Sequence, residues 1–386
     1  MSDKAKGILS KLVSFPVYGG QSNLKLINDI KSYLDEYGVR YQLVENREEQ
    51  KASLHCRIGP AVDGGVILSG HTDVVPVEGQ DWHSDPFVLT EKDGLLYGRG
   101  SADMKGFIAC VLACVPDMLK ANLKRPIYFA FSYDEEVGCI AGPALAAAFH
   151  TAYEEKPKYT LVGEPSLLQP VVGHKGICVF RTTVNGSAGH SSWIRKEVSA
   201  IHEAMRLILW LEKKMDTLIE AGHTDDRFEP NHTSIHCGLI EGGIAHNVIC
   251  DECSFVWDVR VIPRDSVAEI KADFDAYCHE REKILRERFP GFEIKTELYH
   301  PDVPPLDTAE NLEVVDWIKK LSGRDDLTTV AYAAEAGQFS EAGFQTVICG
   351  PGSIAQAHRA DEYIAIEQLE KGVAFIRRLI DDLCQV

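Results

Sequence analysis

Four short apolar runs in this chain each lead into a histidine or an acid. Val66-Ile67-Leu68-Ser69 runs into Gly70-His71-Thr72-Asp73, and the run over 127–132 ends at Asp134-Glu135-Glu136. The run over 159–162 ends at Gly163-Glu164-Pro165, and that over 346–349 enters a Gly350-Pro351-Gly352 loop that reaches His358. Apolar runs of this length without polar alternation read as strands buried on both faces. Helical spacing separates them: 5–38, broken near Pro16 to Gly20, then 104–119 and 142–149. Strands alternating with helices predict an α/β sheet covered on both faces. In open sheets of this kind ligands sit at the carboxyl ends of strands, which is where these charged residues fall.

Between residues 177 and 299 the rhythm changes. The pattern predicts a strand over 177–184, a helix over 198–219, strands over 233–240 and 253–262, a helix over 266–289 and a strand over 292–299. The order β-α-β-β-α-β is that of a ferredoxin-like α+β unit. His300-Pro301-Asp302-Val303-Pro304-Pro305 reads as a linker. After it, α/β texture returns with a helix near 309–322, the 346–349 strand and a terminal helix over 366–383. The expected layout is a discontinuous catalytic domain, 1–176 and 300–386, with a domain inserted at 177–299. The length of 386 residues agrees with two or three domains at about 150 residues each.

Composition narrows the partners. A formal net charge of −18 repels nucleic acid and anionic lipid. With no run of about 18 apolar residues, no membrane span is expected. Met1-Ser2-Asp3-Lys4 opens a polar segment with no apolar signal core. The eleven cysteines are scattered without a disulfide framework, and Cys250-x-x-Cys253 is half a zinc site at best. A reduced, cytoplasmic protein without nucleic-acid or membrane partners is the expectation.

Each charged segment has an ordinary reading and a chemical one. His71 at a strand end can bind metal while Asp73, two positions on, orients its ring, yet H-x-D is a common pair. Asp103 lies in Gly98-Arg99-Gly100-Ser101-Ala102-Asp103-Met104-Lys105-Gly106, which lacks the lysine-serine/threonine end of a phosphate loop. It is either a helix cap or a bridge giving one oxygen to each of two ions. Asp134-Glu135-Glu136 is either a solvated loop or a set of acids compensated by cations, one glutamate binding metal and its neighbour acting as general base for an attacking water. Taken alone, Glu164 reads first as a turn carboxylate, and His358 as a solvent-exposed loop histidine. Histidine nitrogen with carboxylate oxygen suits zinc, cobalt or manganese, and the absence of cysteine from these segments argues against a thiolate site.

Taken together, His71-x-Asp73, Asp103 in its glycine-rich segment, Asp134-Glu135-Glu136, Gly163-Glu164-Pro165 and His358 resemble the M20 family of zinc aminoacylases and peptidases. The resemblance covers essentially the whole chain. It implies a zinc-peptidase-like catalytic domain, with the inserted domain as lid and homodimer interface. It implies two divalent ions, zinc or cobalt. His71 and Glu164 would bind one and Glu136 and His358 the other, with Asp103 as bridge, Asp73 orienting His71 and Glu135 as general base. In the inserted domain, Ala188-Gly189-His190-Ser191-Ser192 resembles the family's histidine segment. The resemblance makes His190 the residue that stabilises the oxyanion, often across a dimer interface. Asn247 and Arg260 match the family's carboxylate-holding residues, although Cys250 follows Val248-Ile249 where the family usually has proline.

Within the family, Glu335-Ala336-Gly337-Gln338-Phe339 and the 350–363 segment resemble the acetylornithine deacetylases. The threonine-serine-aspartate-glycine segment of desuccinylases is missing. The resemblance implies removal of an acetyl group from a small-molecule N-acyl amino acid, with Gly352 and Glu335 as further candidate substrate-binding residues. Glu335 is the candidate for an amine on the substrate side chain. Ala333-Ala334 replaces an expected glycine-threonine, which leaves N-formyl, N-succinyl and N-acetylcitrulline substrates open. A non-catalytic metal-binding protein on the same fold is the distant alternative.

Overall fold

In the computed structural model, which describes residues 2–385, the chain forms two units. The first comprises Met1–Gly173, Leu306–Thr329 and Ala334–Val386; the second comprises His174–Pro305 and Val330–Ala333.

The first unit is built on a mixed sheet. Its strand order is Tyr41–Asn46, Lys51–Ile58, Ile127–Ser132, Val66–His71, Tyr159–Pro165, Gln345–Gly350, Val171–His174 and Leu306–Asp307. The central four, from Ile127–Ser132 to Gln345–Gly350, are mutually parallel, so their carboxyl ends share one edge. Ile127–Ser132 and Val66–His71 are buried at every position, as strands covered on both faces must be. One face carries the helix Lys105–Ala113, also buried all round, with the terminal helix Ile366–Leu383 beyond it. Opposite, Leu145, Phe149, Phe339 and Phe344 pack on Ile67 and Tyr128.

The expected helix over 104–119 is two helices, Lys105–Ala113 and Val115–Lys120, meeting at Cys114. Pro116 has no N–H to continue the ladder and starts a new first turn instead. A three-stranded sheet of Thr90–Lys92, Leu95–Tyr97 and Tyr363–Ala365 was not expected. Asp93 and Gly94, both at positive φ, make the tight turn that Asp-Gly pairs favour in hairpins. This small sheet pairs Tyr97 with Tyr363 and so brings the glycine-rich segment beside the chain that follows His358.

The second unit has the ferredoxin-like order Ser234–Gly242, Glu252–Val261, Gly176–Asn185, Glu293–Val303, all antiparallel. Burial alternates strictly along Gly176–Asn185, which places one face against the helices Ala200–Glu220 and Val267–Arg286. Ser199 and Ser266 cap those helices by accepting the N–H of His202 and Glu269, the role serine fills best. The last strand continues to Val303, through the segment expected to be linker. It is an edge strand whose pairing is irregular between His300 and Val303, a place in a sheet that tolerates a residue such as Pro301 without a donor.

Candidate metal centre

The parallel edge of the first unit gathers the charged residues. His71 is the last residue of its strand and Glu164 stands near the end of Tyr159–Pro165. Gly163 beside it is required by packing: a Cβ there would lie 2.0 Å from the Phe107 ring. The 71–73 segment is tied to the neighbouring strand end by Thr72, whose N–H and hydroxyl both donate to the Ser132 carbonyl, at 3.0 and 2.6 Å.

Asp103 stands between the two histidines. Its Oδ1 is 3.1 Å from His71 Nε2, and its Oδ2 is 3.5 Å from His358 Nε2. His71 Nε2 is also 3.8 Å from Glu164 Oε1, and His358 Nε2 is 3.0 Å from Glu136 Oε2. Asp103 is not a helix cap: the residue before Lys105–Ala113 is Met104, with no side-chain cap. Two groups result, His71–Asp103–Glu164 and Asp103–Glu136–His358, each with donor atoms within 4.8 Å of one another and each sharing Asp103. A donor set of one imidazole nitrogen with carboxylate oxygens fits a divalent cation.

The electrostatics point the same way. Burial, followed by the charge of Asp103, pushes the Glu164 carboxyl well above the usual range. Burial does the same to Glu135, with His71 opposing and Glu136 and Asp103 adding to it. Burial pushes the Asp103 carboxyl up, but contacts with His358 and His71 outweigh this and hold it low. Hydrogen bonds to Asp103 and then Glu136 raise His358 to about 10. A cation bound among these carboxylates would relieve the same repulsion.

The Asp134-Glu135-Glu136 loop is not simply solvated. Asp134, at φ 56°, accepts the Gly20 N–H at 2.8 Å and pairs with Lys51 Nζ at 2.5 Å. Asp73 accepts the N–H of Glu135 and of Glu136 through its two oxygens. Its link to His71 is through the main chain: His71 Nδ1 is 2.9 Å from the Asp73 carbonyl oxygen and 3.7 Å from Oδ1. Glu135 is left to one side of both groups, with Cys139 Sγ donating to its Oε1 at 3.3 Å.

In the glycine-rich segment, Glu362 occupies backbone donors of the kind that a phosphate loop would present. This buried carboxylate accepts the N–H groups of Gly100, Ala102 and Asp103 at 3.0, 2.9 and 3.0 Å, and a bond from Arg99 at 2.8 Å. Sequence reasoning missed Glu362, which reaches the segment only because Tyr363–Ala365 pairs with Leu95–Tyr97 in the fold. Glu335 is buried beside the Ser132 and Ser69 hydroxyls, which oppose the effect of burial on its carboxyl. Burial pushes its carboxyl up to about 7. Gly352, at φ 89°, donates its N–H to Gln368 at 3.3 Å and accepts that of Leu167 at 2.7 Å.

The remaining candidates lie in the second unit. Gly189–His190 pairs with Val248–Ile249, and Ser191 donates to the Asn247 carbonyl at 3.0 Å, so His190 and Asn247 are neighbours. His190 Nδ1 is 2.8 Å from Ser192 Oγ. Arg260 lies on the strand Glu252–Val261, with its Nε 3.4 Å from Asp258. Cys250 and Cys253 are buried free thiols.

Two carboxylate–histidine groups thus lie along one sheet edge, each able to hold a metal ion. The model of peptidase family M20/M25/M40 matches residues 67–382, and the chain belongs to that family. It is 35% identical over 368 residues to an acetylornithine deacetylase from Proteus mirabilis, covering 94% of this chain and 91% of that protein. It is 35% identical over 365 residues to an acetylornithine deacetylase from Photorhabdus laumondii, with the same coverage. An M20 family metallo-carboxypeptidase from Sulfolobus solfataricus shares the fold, with a TM-score of 0.77, 17% identity and 100% of each chain covered. No described helix is long and apolar enough to cross a membrane.

Proposed function

We propose that this chain hydrolyses the amide bond of N2-acetyl-L-ornithine, giving acetate and L-ornithine. The observation that carries the hydrolytic reading is the division of Asp103, one oxygen toward His71 and the other toward His358. His71, Asp103 and Glu164 would hold one ion, and Asp103, Glu136 and His358 the other, with zinc the first candidate and cobalt the second. When bound, such ions supply Lewis acidity, polarising a carbonyl and acidifying water.

The chain's own residues do the rest. Glu135, fixed through its backbone by Asp73, takes a proton from the attacking water as its oxygen bonds to the acetyl carbon. The C–N bond then breaks and Glu135 returns the proton to the departing α-nitrogen. The roles of the second unit's residues rest on their sequence segments: His190 to stabilise the oxyanion, Asn247 and Arg260 to hold the α-carboxylate. The side chain of ornithine is cationic, and Glu335, a buried carboxyl, is the proposed reader of that charge. Support for the acyl group and amino acid comes from the two relatives named above.

The test is a panel of N-acyl amino acids, including N-formyl, N-succinyl and N-acetylcitrulline compounds, given to zinc- or cobalt-loaded protein. N-acetylornithine is expected to show the highest kcat/KM. A higher value for another member replaces the substrate but keeps the chemistry. No hydrolysis across the panel contradicts the proposal.

A further inference from the structure

His358 differs from the other metal-centre residues in how it is held. Its side chain is 56% exposed, against 1% for His71 and 7% for Asp103. It stands outside any helix or strand, and its backbone is in the left-handed region at φ 61°, which a residue with a Cβ seldom adopts. A donor so placed needs an external tether to stay within reach of Asp103.

A continuous hydrogen-bond chain supplies one. Gln80 Nε2 donates to the His358 carbonyl at 2.9 Å. Gln80 Oε1 accepts from Trp82 Nε1 at 3.0 Å and from the Arg99 guanidinium at 2.5 Å. Arg99 is 1% exposed, lies over the Trp82 ring at 5.1 Å and donates its other arm to Glu362. Glu362 in turn accepts the backbone N–H of Asp103. The backbones of His358 and Asp103 are thereby joined through Gln80, Arg99 and Glu362, and a planar, charged fork sits at the middle of the link. A guanidinium orients two acceptors at a fixed angle, which an ammonium does not.

We infer that Gln80 and Arg99 are positioning residues that fix His358 against Asp103 and so set the cation affinity of the Asp103–Glu136–His358 group. This rests on the two-ion reading above. Neither residue donates to the cation; both act through the backbone of one that does. Partners of this kind change metal affinity by about 10- to 100-fold when removed.

Gln80→Glu separates the two halves of the link. It keeps an acceptor for Arg99 but sets a carboxylate oxygen against the His358 carbonyl. Gln80→Ala removes both contacts, and Arg99→Lys keeps the charge without the fork. Each full-length variant is stripped with chelator and titrated with zinc by calorimetry, and metal content is measured after gel filtration.

The wild type is expected to take up two zinc ions. Gln80→Glu and Gln80→Ala should bind one of them with unchanged affinity and the other about 10- to 100-fold more weakly. The metal-free melting temperature of Gln80→Glu should match that of the wild type. Excess zinc should restore its kcat at unchanged KM. Gln80 variants that hold both ions as the wild type does, or weaken both equally, overturn the inference. Arg99→Lys is expected to follow the Gln80 variants, and wild-type affinity there removes Arg99 from it. A wild-type chain that does not take up two ions overturns the two-ion reading, and the inference falls with it.

Discussion

The Asp73 carboxylate holds Glu135 by its backbone, accepting that N–H at 3.2 Å while its other oxygen accepts the N–H of Glu136 at 3.1 Å. The same residue's carbonyl oxygen meets His71 Nδ1 at 2.9 Å. Asp73 therefore fixes the ring of one proposed ligand, the backbone of another and the proposed base. It is fully buried, so water cannot replace it in these contacts.

Replacing Asp73 with asparagine turns one acceptor into a donor facing an N–H. We expect kcat to fall by about 10- to 100-fold, the range for supports of this kind, with KM changed much less. Steady-state kinetics on N-acetylornithine measure the split. An unchanged kcat would remove Asp73 from the account.

Glu135 stands beside the two candidate metal-holding groups without belonging to either. Glu135→Gln should keep the metal content of the wild type and lose about 10²- to 10⁴-fold in kcat, the usual contribution of a general base. Metal analysis and turnover on the same preparation decide it. Wild-type turnover, or loss of metal with the activity, contradicts the assignment.

Lys51 and Asp134 form an ion pair in which the side chains are 4% and 1% exposed. Lys51→Met strands a buried carboxylate and should cost about 3–5 kcal/mol of unfolding free energy, as breaking buried pairs does. Adding Asp134→Asn should recover part of it. Urea unfolding of the single and double variants gives the answer. A loss below about 1 kcal/mol, the scale of a surface pair, would mean that water reaches Asp134.

His55 is buried, with Nδ1 2.9 Å from the Tyr153 hydroxyl, and burial lowers its pKa to about 4. In the unfolded chain it titrates at about 6.5. Between these values the unfolded state binds more protons, so stability rises with pH. The contribution of neutral His55 is present above about 6.5 and is lost as pH falls toward 4. Wild type should lose stability over this window, and His55→Gln should lose about 1–3 kcal/mol less, the order set by such a shift. Urea midpoints at pH 7 and pH 4.5 compare them, and parallel losses would contradict the buried neutral ring.

What the sequence made legible was the chemistry at strand ends. His71, Glu164 and the acids after Ser132 follow runs so apolar that only central strands can use them, and strand ends share an edge. What it hid was long-range support. Glu362 lies 259 positions from Asp103, whose N–H it accepts, and no local periodicity links the two. Gln80 is 278 positions from His358. Asp73 was legible as a partner of His71, but the sequence pattern carries no information on whether carboxylate or carbonyl does that work. The strand through Pro301 was hidden because edge and interior strands obey different rules for proline, and edge position is set by topology.

The central claim is that Asp103 joins two cation sites. Anomalous diffraction at the zinc edge from crystals of the zinc-loaded protein tests it most directly. The expected map has two peaks, one between His71 and Glu164 and one between Glu136 and His358, with an Asp103 oxygen at each. A single peak, or two peaks of which only one touches Asp103, would contradict it.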